Sequence, residues 1–243
     1  IQLYLTKKQI MSKKFLIGSL MILGVLTTSQ VKAGDGENDG GFGIKGGVGL
    51  TTIGFEKESA ESQKNKMKVG GMVGISYEKR FGNVFALDIE ALYANKGVRQ
   101  KSEATILGKD YEYIAKSNLH YFEIPLSAKF YIGDNVNLYV GGYGGFLAFG
   151  QAKTKTIIDG EKQNETESDN YFKEANKDIN GEYALSRFDA GLNGGVEFIS
   201  NKGFGVGARF QKGLMDITNK KYILDDNKWV TNTGIQIYGI IRF

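Results

Sequence analysis

From Phe42 to the end of the chain, apolar residues recur at every second position in runs separated by clusters of Gly, Asn, Asp and Ser. A period of two places alternate side chains on opposite faces of an extended strand, whereas an amphipathic helix repeats every three to four residues. Eight such runs can be followed. In the first, Phe42, Ile44, Val48 and Leu50 alternate with Lys45 and glycines. Next, Met67, Val69, Val73, Ile75, Tyr77 and Phe81 oppose Lys68, Ser76, Glu78 and Arg80. Phe85, Leu87, Ile89, Ala91 and Tyr93 then oppose Asp88 and Glu90. The cleanest run is Phe122, Ile124, Leu126, Ala128, Phe130 and Ile132, opposed by Tyr121, Glu123, Ser127, Lys129 and Tyr131. In Val136 to Phe149 the phase is obscured by glycine, and a bulge at Gly141 to Gly145 could flip it. Phe188, Ala190, Leu192, Val196 and Phe198 oppose Arg187, Asp189, Asn193 and Glu197. Phe204, Val206, Ala208 and Phe210 oppose Arg209 and Gln211, and Ile235, Ile237, Ile241 and Phe243 oppose Gln236, Tyr238 and Arg242.

The connections between runs alternate in length. Phe81-Gly82-Asn83-Val84, Gly133-Asp134-Asn135 and Ser200-Asn201-Lys202-Gly203 have the composition of tight hairpin turns. The other connections, Glu56 to Lys66, Lys96 to Asn118, Gln151 to Tyr183 and Thr218 to Trp229, are long and polar. Short turns at one end and long loops at the other, joining runs of membrane-strand length, predict an all-β, antiparallel up-and-down transmembrane β-barrel of about eight strands.

Periodicity alone does not say which face is outside, so a soluble lipocalin-like barrel with an apolar interior is the competing reading. Three features favour lipid outside. Phe, Ile and Leu crowd the apolar face beyond what the narrow interior of an eight-stranded barrel holds. The opposite face carries acids and bases together, which can pair across a sealed lumen; the expected ion-pair network comprises Glu78, Arg80, Asp88, Glu90, Glu123, Lys129, Arg187, Asp189, Glu197, Arg209 and Arg242. The chain also ends on Phe243, and a terminal aromatic on the last strand resembles the assembly signal of outer-membrane barrels.

The segment before the strands sets the compartment. Met11 is followed by Lys13 and Lys14, the apolar run Phe15 to Leu26, and Val31-Lys32-Ala33. That order is a secretory signal, with an apolar core well short of the roughly 20 residues of a membrane-spanning helix. Residues 1–33 are read as an upstream extension plus a cleaved signal peptide, and 34–243 as the barrel domain. Five lysines and no acid precede the expected cut, which changes the charge balance. The whole chain has 31 Lys+Arg against 27 Asp+Glu, but the mature segment has 26 against 27, so its charge gives no reason to expect a nucleic-acid partner.

Cysteine is absent, which removes disulfides, thiolate metal sites, cysteine nucleophiles and lipoprotein processing. A single histidine, His120, leaves no multi-histidine zinc site within one chain. Gly41 to Gly46 fits GxGxxG but opens a strand with no βαβ unit around it. Asp35, Glu37 and Asp39 imitate the start of a calcium loop, yet its twelfth position is Gly46. No cofactor, metal ligand or catalytic residue is therefore assigned.

The stretch Tyr121-Phe122-Glu123-Ile124-Pro125-Leu126-Ser127-Ala128-Lys129 resembles the signature strand of the porin-like, PorT-type family of small outer-membrane β-barrels. Gly207 to Ile217, with Arg209-Phe210 and Gly213-Leu214, is similar to that family's penultimate strand. The resemblance implies fold and location across the mature chain and transfers no catalytic residue. Pro125 lacks a ladder donor and is expected at a bulge or strand end.

These observations favour an outer-membrane scaffold, structural or surface-interacting, that meets an extracellular or envelope partner through its long loops. Its other expected partners are outer-membrane lipid and, through the C-terminal strand, the barrel-assembly machinery. A small-solute channel is the alternative, against which stands the narrow interior. A lipid-modifying enzyme is the second, against which stands the lone His120 without a serine two residues away on its face. The Gln151–Tyr183 connection is net acidic and is expected to be the longest exposed, mobile loop, with Tyr171-Phe172 either anchoring a partner or touching the barrel rim.

Overall fold

A computed structural model describes residues 40–55, 64–106, 108–167, 170–172, 185–218 and 229–243. The expected signal segment and the Asp35–Asp39 stretch lie outside these residues. Ten strands are present among the described residues, all within the unit Glu37–Arg242: β1 (Gly40–Phe55), β2 (Lys64–Phe81), β3 (Phe85–Lys96), β4 (Val98–Ile106), β5 (Lys109–Ile132), β6 (Val136–Ile158), β7 (Glu161–Glu167), β8 (Phe188–Ile199), β9 (Phe204–Gly213) and β10 (Val230–Arg242).

Eight of them form a closed antiparallel ring in the order β1, β2, β3, β5, β6, β8, β9, β10. The first and last strands pair from Gly43↔Arg242 to Phe55↔Val230. Closure leaves no sheet edge within the ring, which is the condition for a β structure to span a bilayer. The three short turns are where the sequence places them, with Gly82, Gly133 and Gly203 in the left-handed conformation that glycine adopts without strain.

Every strand phase read from the sequence holds. Phe122, Ile124 and Leu126 are more than half exposed on the outer surface, while Glu123, Ser127 and Lys129 between them are buried. The phase of β6, illegible in the sequence, runs unbroken through its glycines: Asn137, Tyr139, Tyr143 and Leu147 all point inward. The expected bulge at Gly141–Gly145 is therefore corrected. The irregularity lies beyond it, where His120 pairs with Phe149 and Tyr121 with Leu147, so that Ala148 is the extra residue.

Pro125 is a second correction. It lies in the middle of β5, paired with Tyr143 of β6, at neither a bulge nor a strand end. On its other side, pairing with β3 is interrupted between Ile89↔Leu126 and Leu92↔Glu123 without a change of register. The missing N–H falls in that gap of two residue pairs, and the strand order stays intact.

Of the four expected long loops, Lys96–Asn118 is instead almost entirely paired strand, and Gln151–Tyr183 is paired over its first half. β4 continues β3 past Gly97 in the same register against β5, and β5 continues against β6 as far as Tyr111↔Ile158. β6 then turns through Asp159 and Gly160, both at positive φ, into β7. The result is a sheet of β4, β5, β6 and β7, edged by Lys64–Met67 of β2 against β4, that continues beyond the ring. The part of β5 from Lys109 to His120 reaches roughly 40 Å along the strand. Lys153–Glu167 and Lys101–Glu112 ion pairs cross between its strands at 3.0 and 3.1 Å. Hydrogen bonding from Lys162 holds the Glu165 carboxyl below its ordinary value. Residues 151–167 are thus ordered as a hairpin, and the mobile loop expected for Gln151–Tyr183 is corrected for that half.

Candidate functional site

Inward-facing positions of eight strands converge on a polar core. Lys45, from β1, sits at its centre with its ammonium 3.1 Å from Asp88, 2.7 Å from Glu90 and 2.8 Å from Glu197. Lys129 joins Glu78, Asp88 and Glu197 at 3.1, 3.0 and 2.7 Å. Arg209 donates to Glu90 at 2.5 Å and to the Tyr139 hydroxyl at 3.1 Å. Tyr139 and Tyr238 share a hydrogen bond of 2.7 Å, and Tyr238 donates to Glu197 at 3.0 Å. Towards the short turns, Glu78 accepts from Arg242 at 2.6 Å, from Tyr131 at 2.5 Å and from Arg80 at 3.1 Å. Arg80 also lies over the Tyr131 ring, 3.8 Å from its centre.

A second tier lies towards the long-loop end. Lys96 pairs with Glu123, to which Gln211 also donates at 3.3 Å. Asp189 accepts from Tyr143 at 3.1 Å and from Asn232 at 2.8 Å. Above it, Leu119, Tyr121, Leu147, Phe172, Ile217 and Val230 form an apolar cluster, with Ile53, Tyr171 and Leu185 against it. Ions brought out of water are tolerated when they meet opposite charge, as Lys45, Lys129, Arg209, Glu78, Glu90 and Glu197 do, whereas Asp189 is held by neutral hydrogen bonds alone.

Eight of the eleven residues expected to form the ion-pair network meet one another directly or through Lys45, while Glu123 pairs with Lys96 in the upper tier. Asp189 is in the lumen, hydrogen-bonded in the upper tier. Arg187 is a correction. Its guanidinium donates to the carbonyls of Leu147 and Ala148 at 3.4 and 3.5 Å and lies 3.9 Å from the centre of the Phe172 ring. It therefore braces the β6 bulge and the apolar cluster.

Two cations were missed. Lys45 was legible as an inward position of the first strand, but its three acids lie 43, 45 and 152 residues away, beyond any local signal. Lys96, at the start of an expected loop, is the buried last residue of β3. Tyr171 and Phe172 are also corrected as an exposed recognition pair. Phe172 is 8% exposed within the apolar cluster, and Tyr171 packs beside it, so they make the rim contact that was the other reading.

His120 faces the outer surface at the upper edge of the apolar belt. Its ring stacks on Phe149 at 4.1 Å, its Nδ1 is 2.5 Å from the Tyr93 hydroxyl, and the Asn95 amide lies within 3.2 Å. These partners make it part of an aromatic girdle.

Residues 29–219 match the family described as outer membrane protein beta-barrel domain. The chain belongs to that family. It is accordingly an outer-membrane protein whose apolar face meets lipid, and the soluble lipocalin-like alternative falls. No curated protein matches it. Among solved structures this outer-membrane barrel is similar to the attachment invasion locus protein Ail of Yersinia pestis, at 15% identity and TM-score 0.38, covering 84% of this chain and 99% of that one. OprG from Pseudomonas aeruginosa is similar at 14% identity and TM-score 0.36, covering 86% and 98%. The outer membrane enzyme PagL is similar at 10% identity and TM-score 0.29, covering 81% and 99%.

Proposed function

We propose that the protein is a sealed barrel acting as a structural or surface-interaction scaffold, with the β4–β7 sheet as the element presented outside the cell. The observation that carries this reading is the lumen itself. Lys45, Lys129, Arg209, Glu90 and Glu197 are fully buried in mutual contact, and an apolar cluster lies above them. A solute path would have to break several buried ion pairs at once. Reconstituted in a planar bilayer, the protein should show no stable conductance. Large, reproducible channels would favour the small-solute channel instead.

The contacts of His120 with Tyr93, Asn95 and Phe149 support a non-enzymatic reading, because none of these supplies a hydroxyl nucleophile of serine type. Within the family, the Tyr121–Lys129 strand supports the narrower PorT-type assignment. The mature chain begins at Gly34, and Phe243 engages the barrel-assembly machinery. The partner met by the β4–β7 sheet is an extracellular or envelope protein.

Orientation follows from loop length, since short turns face the periplasm in such barrels. An epitope inserted at the Asp159–Gly160 turn should be labelled by antibody on intact cells. The same epitope at Gly133–Asp134 should be labelled only after the outer membrane is permeabilised. The reverse pattern would invert the barrel and move the sheet to the periplasm.

A further inference from the structure

The outer surface of β3, β4, β5 and β6 changes character in successive rows, because residues directly opposite one another share a face. Tyr93, Phe122 and Phe146 form one row, and Asn95, His120 and Phe149 form the row above it. Farther out come Arg99, Lys116 and Lys153, and beyond them Lys101, Ile114 and Lys155. Like charges directly opposite one another on adjacent strands repel, and Arg99, Lys116 and Lys153 are three in a line. Glu167 compensates Lys153 at 3.0 Å, and Glu103 and Glu112 compensate Lys101 at 2.6 and 3.1 Å. Among the described residues, Arg99 and Lys116 have no acidic partner, and the buried Nε of Arg99 has no hydrogen-bond partner. Among the described residues the row is therefore a cationic site with more basic than acidic groups.

We propose that Arg99, Lys116 and Lys153 bind the phosphate groups of a phosphorylated glycolipid of the outer leaflet, whose acyl chains lie on the Phe122 and Ile124 belt below. Height selects a lipid over a free anion. Lys116 stands four residues from His120 on one tilted strand, about 10 Å above the girdle, and the headgroup layer is ~5–8 Å thick on each side. Long basic side chains close the remaining distance by bending towards the interface. Arginine offers a planar pair of donors to phosphate, and the lysines add point charge. The proposal rests on the outward orientation of the sheet, which the epitope experiment tests separately.

The test uses the mature protein in phosphatidylcholine nanodiscs doped with diphosphoryl lipid A, the same lipid A after dephosphorylation, or phosphatidylglycerol, with retained lipid measured by mass spectrometry. The protein should enrich diphosphoryl lipid A over both others, and R99Q/K116Q should reduce that enrichment by about tenfold. K212Q, which removes an outward charge from β9, should leave it unchanged, and all variants should keep the native gel mobility before heating. Equal retention of dephosphorylated lipid A, equal retention of phosphatidylglycerol, or full enrichment in R99Q/K116Q would each overturn the proposal.

Discussion

Replacing Glu197 by Ala is expected to lower the stability of the barrel by about 3 kcal/mol, the lower end of the cost of removing one member of a buried ion pair. Its carboxylate accepts from Lys45 at 2.8 Å, Lys129 at 2.7 Å, Asn137 at 3.3 Å and Tyr238 at 3.0 Å. Truncation takes one acidic partner from each of two buried ammonium groups. Each keeps other acids, Asp88 and Glu90 for Lys45 and Glu78 and Asp88 for Lys129, which is why the loss sits at the low end. E197Q retains the shape and part of the hydrogen bonding and should lose less. K129M/E197Q should fall short of the sum of its two single losses by about 1 kcal/mol or more, since the two residues are in direct contact. Urea unfolding in lipid vesicles, read from the sole tryptophan, Trp229, gives these values. An unchanged midpoint for E197A would mean that water already screens the lumen charges, and the sealed-barrel reading would fall with it.

Gly207→Val should cost about 2–3 kcal/mol through overpacking. Gly207 pairs directly with Tyr238 on β10, and the tyrosine ring lies across the space a side chain would fill. A Cβ on Gly207 would come within 2.6 Å of that ring. The ring cannot retreat freely, because its hydroxyl is tied to both Tyr139 and Glu197. The same arrangement recurs at Tyr139↔Gly195 and Tyr143↔Gly191, so the glycines make room for the tyrosines that fill the lumen. Gly144→Val is the matched control. A Cβ there meets nothing within 4 Å, and the change should stay within about 0.5 kcal/mol in the same unfolding assay. Equal losses at the two positions would show that the effect is one of strand glycine in general rather than of the Tyr238 contact.

The sequence by itself determined the strand phases, the closed-barrel class and the three short turns, because each is set by residues close together in the chain. Alternation from Phe122 to Ile132 assigns every side chain of that stretch to a face, and a Gly-Asn or Gly-Asp pair marks a turn whatever surrounds it. Most of the lumen network was legible as a set of inward charges, Lys45, Lys96 and Arg187 being the exceptions. Which charges meet was decided only by ring closure, since Lys45 of the first strand reaches Glu197 only because β1 pairs with β10. Likewise, polar composition marks 96–118 and 151–183 as loops, of which 96–118 and 151–167 prove to be mostly strand, because polarity shows only that no apolar core is buried there. Once the barrel fixes the spacing of β5 and β6, backbone pairing carries them onward without one. Arg187 and Phe172 were misplaced for the same reason. An arginine on an inward face and an aromatic in a long connection find their partners at the β6 bulge, and that bulge is set by the count of residues on two strands rather than by either residue's own neighbours.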